Sequence, residues 1–99
     1  MVPAARRRGK DNTMTYTYKT YEDNAGRLHL AILDESGACV YYLIDDNRAL
    51  IVETLDALKA GGDPIADGWE GGEPNPAACY AEIVGFVEAR NGGADEIDL

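Results

Sequence analysis

The chain has 99 residues, 45% of them hydrophobic, and a formal net charge of −9. That length makes one domain at most, and the apolar content is ordinary for a globular protein, which excludes wholesale disorder. The charge is unevenly spread: residues 1–10 carry Arg6, Arg7, Arg8 and Lys10 with no acid, while the rest carries all 18 acids and five bases, a formal −13. So acidic a body excludes nucleic-acid backbones and anionic membranes as direct partners, because both are polyanions. No apolar run approaches the roughly 20 residues that span a bilayer. No apolar stretch follows Arg6–Arg8 as it would in a signal peptide, so a cytoplasmic protein is expected.

Residues 1–13 read as a disordered basic leader, with Met14 an alternative natural start. A single α+β domain is expected over 14–93. Thr15–Glu22 is rich in Thr and Tyr and reads as a strand. Asp23-Asn24-Ala25-Gly26 is turn chemistry, and Arg27–Leu33 is a second strand. Asp34-Glu35-Ser36-Gly37 forms another turn, with Gly37 suited to a positive φ, before a third strand over Ala38–Asp45.

Asp46 or Asn47 can cap a helix in which Leu50, Ile51, Thr54, Leu55 and Leu58 recur at helical spacing. Gly61-Gly62 ends it. A Gly- and acid-rich loop follows, up to Pro74. A second helix begins near Asn75 with Pro76 in its first turn, and Tyr80, Ile83, Val84 and Val87 make its apolar stripe. Asn91-Gly92-Gly93 stops it, and residues 94–99 read as a frayed acidic tail. The expected order is β-β-β-α-α: a three-stranded antiparallel meander with both helices packed on one face.

Strict alternation from the second turn places Leu28, Leu30, Ile32, Val40, Tyr42 and Ile44 on that covered face. His29, Ala31, Leu33, Cys39, Tyr41 and Leu43 fall on the other, joined by Tyr16 and Tyr18 if the first turn has four residues. Two helices on one face leave this tyrosine-bearing face free. Tyr16, Tyr18, His29, Tyr41 and Leu43 are therefore the candidate interface, for a protein partner or a second copy of the chain.

Nothing in the sequence supports catalysis. His29 and Cys39 stand four residues out of register in the hairpin, roughly 13 Å at about 3.3 Å per residue, beyond dyad reach. Cys39 and Cys79 belong to no CxxC pair and read as reduced thiols. Asp63, Asp67, Glu70 and Glu73 lack the spacing of a calcium loop. Gly61-Gly62 and Gly71-Gly72 lack the lysine of a phosphate-binding loop. No metal or other cofactor is implied. Trp69, between Gly68 and Glu70, reads as the anchor of its loop on the core. The reading is a non-catalytic interaction protein. Its alternative is a polyanion mimic that uses Glu53, Asp56, Glu82 and Glu88, with the loop acids, to occupy a basic protein.

Tyr21-Glu22-Asp23-Asn24-Ala25-Gly26, Leu28-His29-Leu30 and Asp63-Pro64-Ile65-Ala66-Asp67-Gly68-Trp69 resemble a pattern in a group of short acidic bacterial proteins. That group resembles accessory genes of gut-bacterial mobile elements. The resemblance implies a bacterial, cytosolic setting and carries over no catalytic residue. The β-β-β-α order is also similar to small antitoxins of the HicB type, which implies an antitoxin-like regulator as a further alternative.

Overall fold

A computed structural model describes residues 15–89 and 94–99. The basic leader, Met14 and the Asn91-Gly92-Gly93 stop lie outside the described residues. The elements are β1 (Thr17–Asp23), β2 (Leu28–Leu33), β3 (Cys39–Asp45), α1 (Arg48–Lys59), α2 (Pro76–Ala89) and β4 (Ala94–Ile97). The sheet is antiparallel, with strand order β3-β2-β1-β4. The fold is α+β as expected, with a fourth strand where a frayed tail was expected. β4 pairs with the otherwise bare edge of β1, from Thr20↔Ile97 to Asp23↔Ala94. The Thr20 hydroxyl adds a 2.7 Å bond to the Ile97 carbonyl.

Both hairpin turns use one device. Asp23 Oδ1 accepts the N–H groups of Ala25 and Arg27, and Asp34 Oδ1 accepts those of Ser36 and Ala38. Gly26 and Gly37 follow at φ +84° and +87°, where a side chain is strained. In the first turn Glu22 pairs with Leu28, so five residues intervene rather than four. That extra residue brings Tyr18 opposite Ile32 and turns Tyr16 and Tyr18 to the Leu30 face.

β3 carries a second one-residue shift. Leu33 pairs with Cys39, but Ile32 pairs with Tyr41, leaving Val40 as a bulge. Beyond it the faces exchange. Tyr41 and Leu43 join Leu28, Leu30 and Ile32, while Tyr42 and Ile44 join His29, Ala31 and Leu33.

The helices lie on opposite faces of the sheet, not on one. Asn47 caps α1 by accepting the N–H groups of Ala49 and Leu50. Its Ile51, Leu55 and Leu58 are buried on Leu28, Leu30, Ile32, Tyr41 and Leu43. α2 sets Ile83, with Cys79, Tyr80, Val84 and Val87, against Tyr21, Ala31, Leu33, Cys39 and Tyr42. The physical reason is that the bulge and the longer turn leave both faces apolar, and each needs cover. The loop between the helices carries the chain from one face to the other. It passes the outer edge of β3, where the Glu73 N–H bonds the Tyr42 carbonyl at 2.7 Å. That contact also covers part of an edge strand. Among the described residues no helix is long and apolar enough to cross a membrane.

Candidate functional site

The five residues expected to form one exposed face do not share one. Tyr16, Tyr18, Tyr41 and Leu43 lie on the α1 side, and His29 lies on the α2 side. Tyr41, Leu43 and His29 are buried, and Tyr16 and Tyr18 are half-buried. The exposed tyrosine-bearing face is thus replaced by two covered faces, each with its own polar feature.

On the α2 side, Asp23, His29 and Tyr42 form a chain of short bonds. His29 Nε2 is 2.8 Å from Asp23 Oδ2, and His29 Nδ1 is 2.8 Å from the Tyr42 hydroxyl. The two rings meet edge-on, with centroids 5.6 Å apart. Burial raises the Asp23 pKa, but hydrogen bonds from His29 and the Arg27 and Ala25 backbones outweigh it and hold the carboxyl at about 2. An ionised Asp23 only accepts, so Nε2 carries the proton and donates to it. In the neutral ring Nδ1 accepts from Tyr42, whose hydroxyl is kept protonated as burial, above all, pushes its pKa up.

The order Tyr–His–Asp has the form of a proton relay, but its tyrosine is 1% exposed. A general acid must reach a substrate proton. This chain clamps the first turn, β2 and β3 together. A small cavity of about 120 Å³ is lined by Asp23, His29 and Tyr42 themselves, together with Cys79, Glu82 and Phe86 among others. Cys39 and Cys79 are free thiols on this face, and burial pushes both up, with Glu73 and Glu82 adding to the effect at Cys79. Neither has the lowered pKa of a reactive nucleophile.

On the α1 side, the loop after α1 closes over the end of the apolar core. Asp63 organises it, accepting from the N–H groups of Ile65 and Ala66 and from the Tyr16 hydroxyl at 2.8 Å. Burial, the bond to Asp63 and nearby acids push the Tyr16 pKa up to about 12. Asp67 in turn accepts the Asp63 N–H. These two loop acids are thus engaged in shaping the loop. Among the described residues no group of three or more His, Cys, Asp or Glu could hold a metal ion.

Trp69 packs on this core and meets Tyr41 edge-to-face, with centroids 5.7 Å apart at 89°. The Tyr41 hydroxyl donates to the Glu70 carbonyl at 2.9 Å. Two glycines seat the rings. A Cβ on Gly62 would fall 2.7 Å from Trp69 Cζ2, and one on Gly72 would fall 2.6 Å from Tyr41 Cε1. Between α1 and the loop lies an open groove of about 330 Å³, lined by Tyr41, Trp69, Thr54, Ala57 and the carboxylate-bearing Glu53 and Glu70. Glu53 and Glu70 are exposed, and among the described residues neither has an ion-pair partner.

Sequence reasoning missed Asp23, Tyr42, Gly62 and Gly72 as parts of these arrangements. The repeated Asp-x-x-Gly spacing at 23–26 and 34–37 was the available signal for the turns. Nothing local links Gly62 and Gly72 to aromatic rings that reach them only through the fold. No protein-family model, curated protein or solved structure matches this chain.

Proposed function

We propose that the protein is a small, acidic, non-catalytic interaction protein that binds a basic protein partner in the cytoplasm. One observation carries the reading: an open groove is lined by Trp69 and Tyr41 together with Glu53 and Glu70, two exposed acids that have no ion-pair partner among the described residues. Aromatic rings are favoured at interface centres, where they bury area at low cost in side-chain entropy. The surrounding charge supports a basic occupant, since the described residues carry 17 acids and four bases. A second copy of the chain would bring the same negative charge and be repelled, so a different protein is favoured over a homodimer. Neither a nucleic acid nor an anionic membrane fits this charge. The mimic alternative draws less support, because Glu53 and Asp56 lie on α1 and Glu82 and Glu88 on α2, across the sheet from one another.

The test is site-specific photo-crosslinking in the host from two exposed positions, Ala57 beside the groove and Ala81 on α2. A basic protein should crosslink from position 57. The purified pair should bind stoichiometrically by calorimetry and weaken at least tenfold between 50 and 300 mM salt, as screening shortens the reach of the charges. Crosslinking from position 81 alone, or binding indifferent to salt, would count against the reading.

A further inference from the structure

The groove's chemistry narrows what it can hold. It is lined by the half-buried Trp69 and the buried Tyr41, which meet edge-to-face, and by the exposed Glu53 on α1 and Glu70 on the loop. A purely apolar occupant would strip water from two carboxylates and offer nothing in return. An anion would be repelled by both. A cation with an apolar stem satisfies every part: the stem covers Trp69 and the charge meets the carboxylates.

Among cationic side chains the guanidinium fits best. It is planar and weakly hydrated, stacks on aromatic faces, and forks its N–H groups toward carboxylate oxygens. An ammonium is compact and strongly hydrated, and gives up more water to enter the same place. The molecule already sets a cation over an aromatic ring nearby: Lys59, at the end of α1, lies 5.5 Å from the Tyr18 ring centroid on the same side of the sheet. The groove's volume, about 330 Å³, is at the small end of the range for ligand sites, about 300–1,000 Å³, and suits one side chain better than a large cofactor.

We infer that the groove is an arginine site, taking one arginine side chain of the basic partner protein against Trp69, with its guanidinium between Glu53 and Glu70. This rests on the basic-partner reading and adds a residue-level ligand to it.

Trp69 is the chain's only tryptophan, so its emission reports on the groove directly. The full chain is titrated with three blocked tripeptides, Ala-Arg-Ala, Ala-Lys-Ala and the same peptide with neutral citrulline. The arginine peptide should give a saturable emission change, weaken several-fold as lysine and at least tenfold as citrulline. The double variant E53Q/E70Q should lose at least tenfold in affinity for the arginine peptide while its unfolding midpoint stays put, since both side chains are exposed. Lysine or citrulline matching arginine, or an unchanged double variant, would overturn the assignment. If E53Q/E70Q still binds the purified basic partner at full strength, the arginine site fails and the interaction reading stands. If no basic partner binds the unaltered chain, both fail.

Discussion

The two faces of the sheet are closed in different ways. Under α1 the contact is almost wholly apolar: Ile51, Leu55 and Leu58 meet Leu28, Leu30, Ile32 and Leu43. Such burial is strong but non-directional. Under α2 the contact includes the Asp23–His29–Tyr42 chain, and among the described side chains of α2 only Ile83 is buried while Phe86 is exposed. Hydrogen bonds fix orientation there, and each is costly to leave half-made. The α1 face ends at a loop whose Trp69 is only partly covered and packs edge-on against the buried Tyr41. Thus the apolar face, where it reaches the surface, ends beside an open groove, while the other face is held by a directional polar chain that borders a small cavity.

That contrast can be broken from either side. Leu30 is fully buried under α1, so Leu30→Ala should have the largest effect, a loss of about 3 kcal/mol measured by urea unfolding. A loss below about 1 kcal/mol would mean that this face is not the main source of stability.

Asp23→Asn tests the other face through pH. The Asp23 carboxyl sits at about 2 in the folded protein against an ordinary 3.8. Its folded pKa is depressed, so its contribution is fully present above pH 4 and is lost as pH falls toward 2. The difference corresponds to about 2 kcal/mol. The unaltered chain should therefore lose stability steeply between pH 4 and 2, and Asp23→Asn should be weaker at neutral pH with a flatter acid limb. An acid limb unchanged by the substitution would remove Asp23 from the clamp.

Gly62→Ala sharpens the comparison at the groove. The added methyl meets Trp69 and the Ala57 carbonyl at 2.7 Å, and overpacking of this kind costs about 1–2 kcal/mol. Trp69 emission should shift in the native state while the pH profile set by Asp23 stays the same. The smallest effect belongs to E53Q/E70Q, which should leave stability within about 0.5 kcal/mol, as expected for exposed side chains outside the core.

Much of the fold was legible because its signals are local. Asn47 before a helical repeat of Leu and Ile, and Gly26 and Gly37 at the turns, act within a few residues of themselves. The errors were of one residue each and non-local in effect. The first turn holds five residues, Asp23 to Arg27, between paired Glu22 and Leu28, and Val40 bulges out of β3, so each slip exchanged which side chains share a face. With the faces exchanged, Tyr41 and Tyr42 swapped sides, and an exposed tyrosine face was expected where the described residues show two covered faces. β4 was hidden for another reason. Asp95 and Glu96 give the segment 94–97 little strand propensity, and its pairing depends on the free edge of β1. His29 looked like an ordinary sheet residue because its partners come from the turn and from β3, and neither contact has a sequence spacing that announces it.

The most direct test of the groove is two-dimensional NMR of the labelled chain with the blocked arginine tripeptide. The account predicts that shifts concentrate at Thr54, Ala57, Trp69 and Glu70, with the Trp69 indole N–H among the largest, and that Cys79, Glu82 and Phe86 stay still. Shifts centred on α2, or spread evenly over the acidic surface, would contradict it.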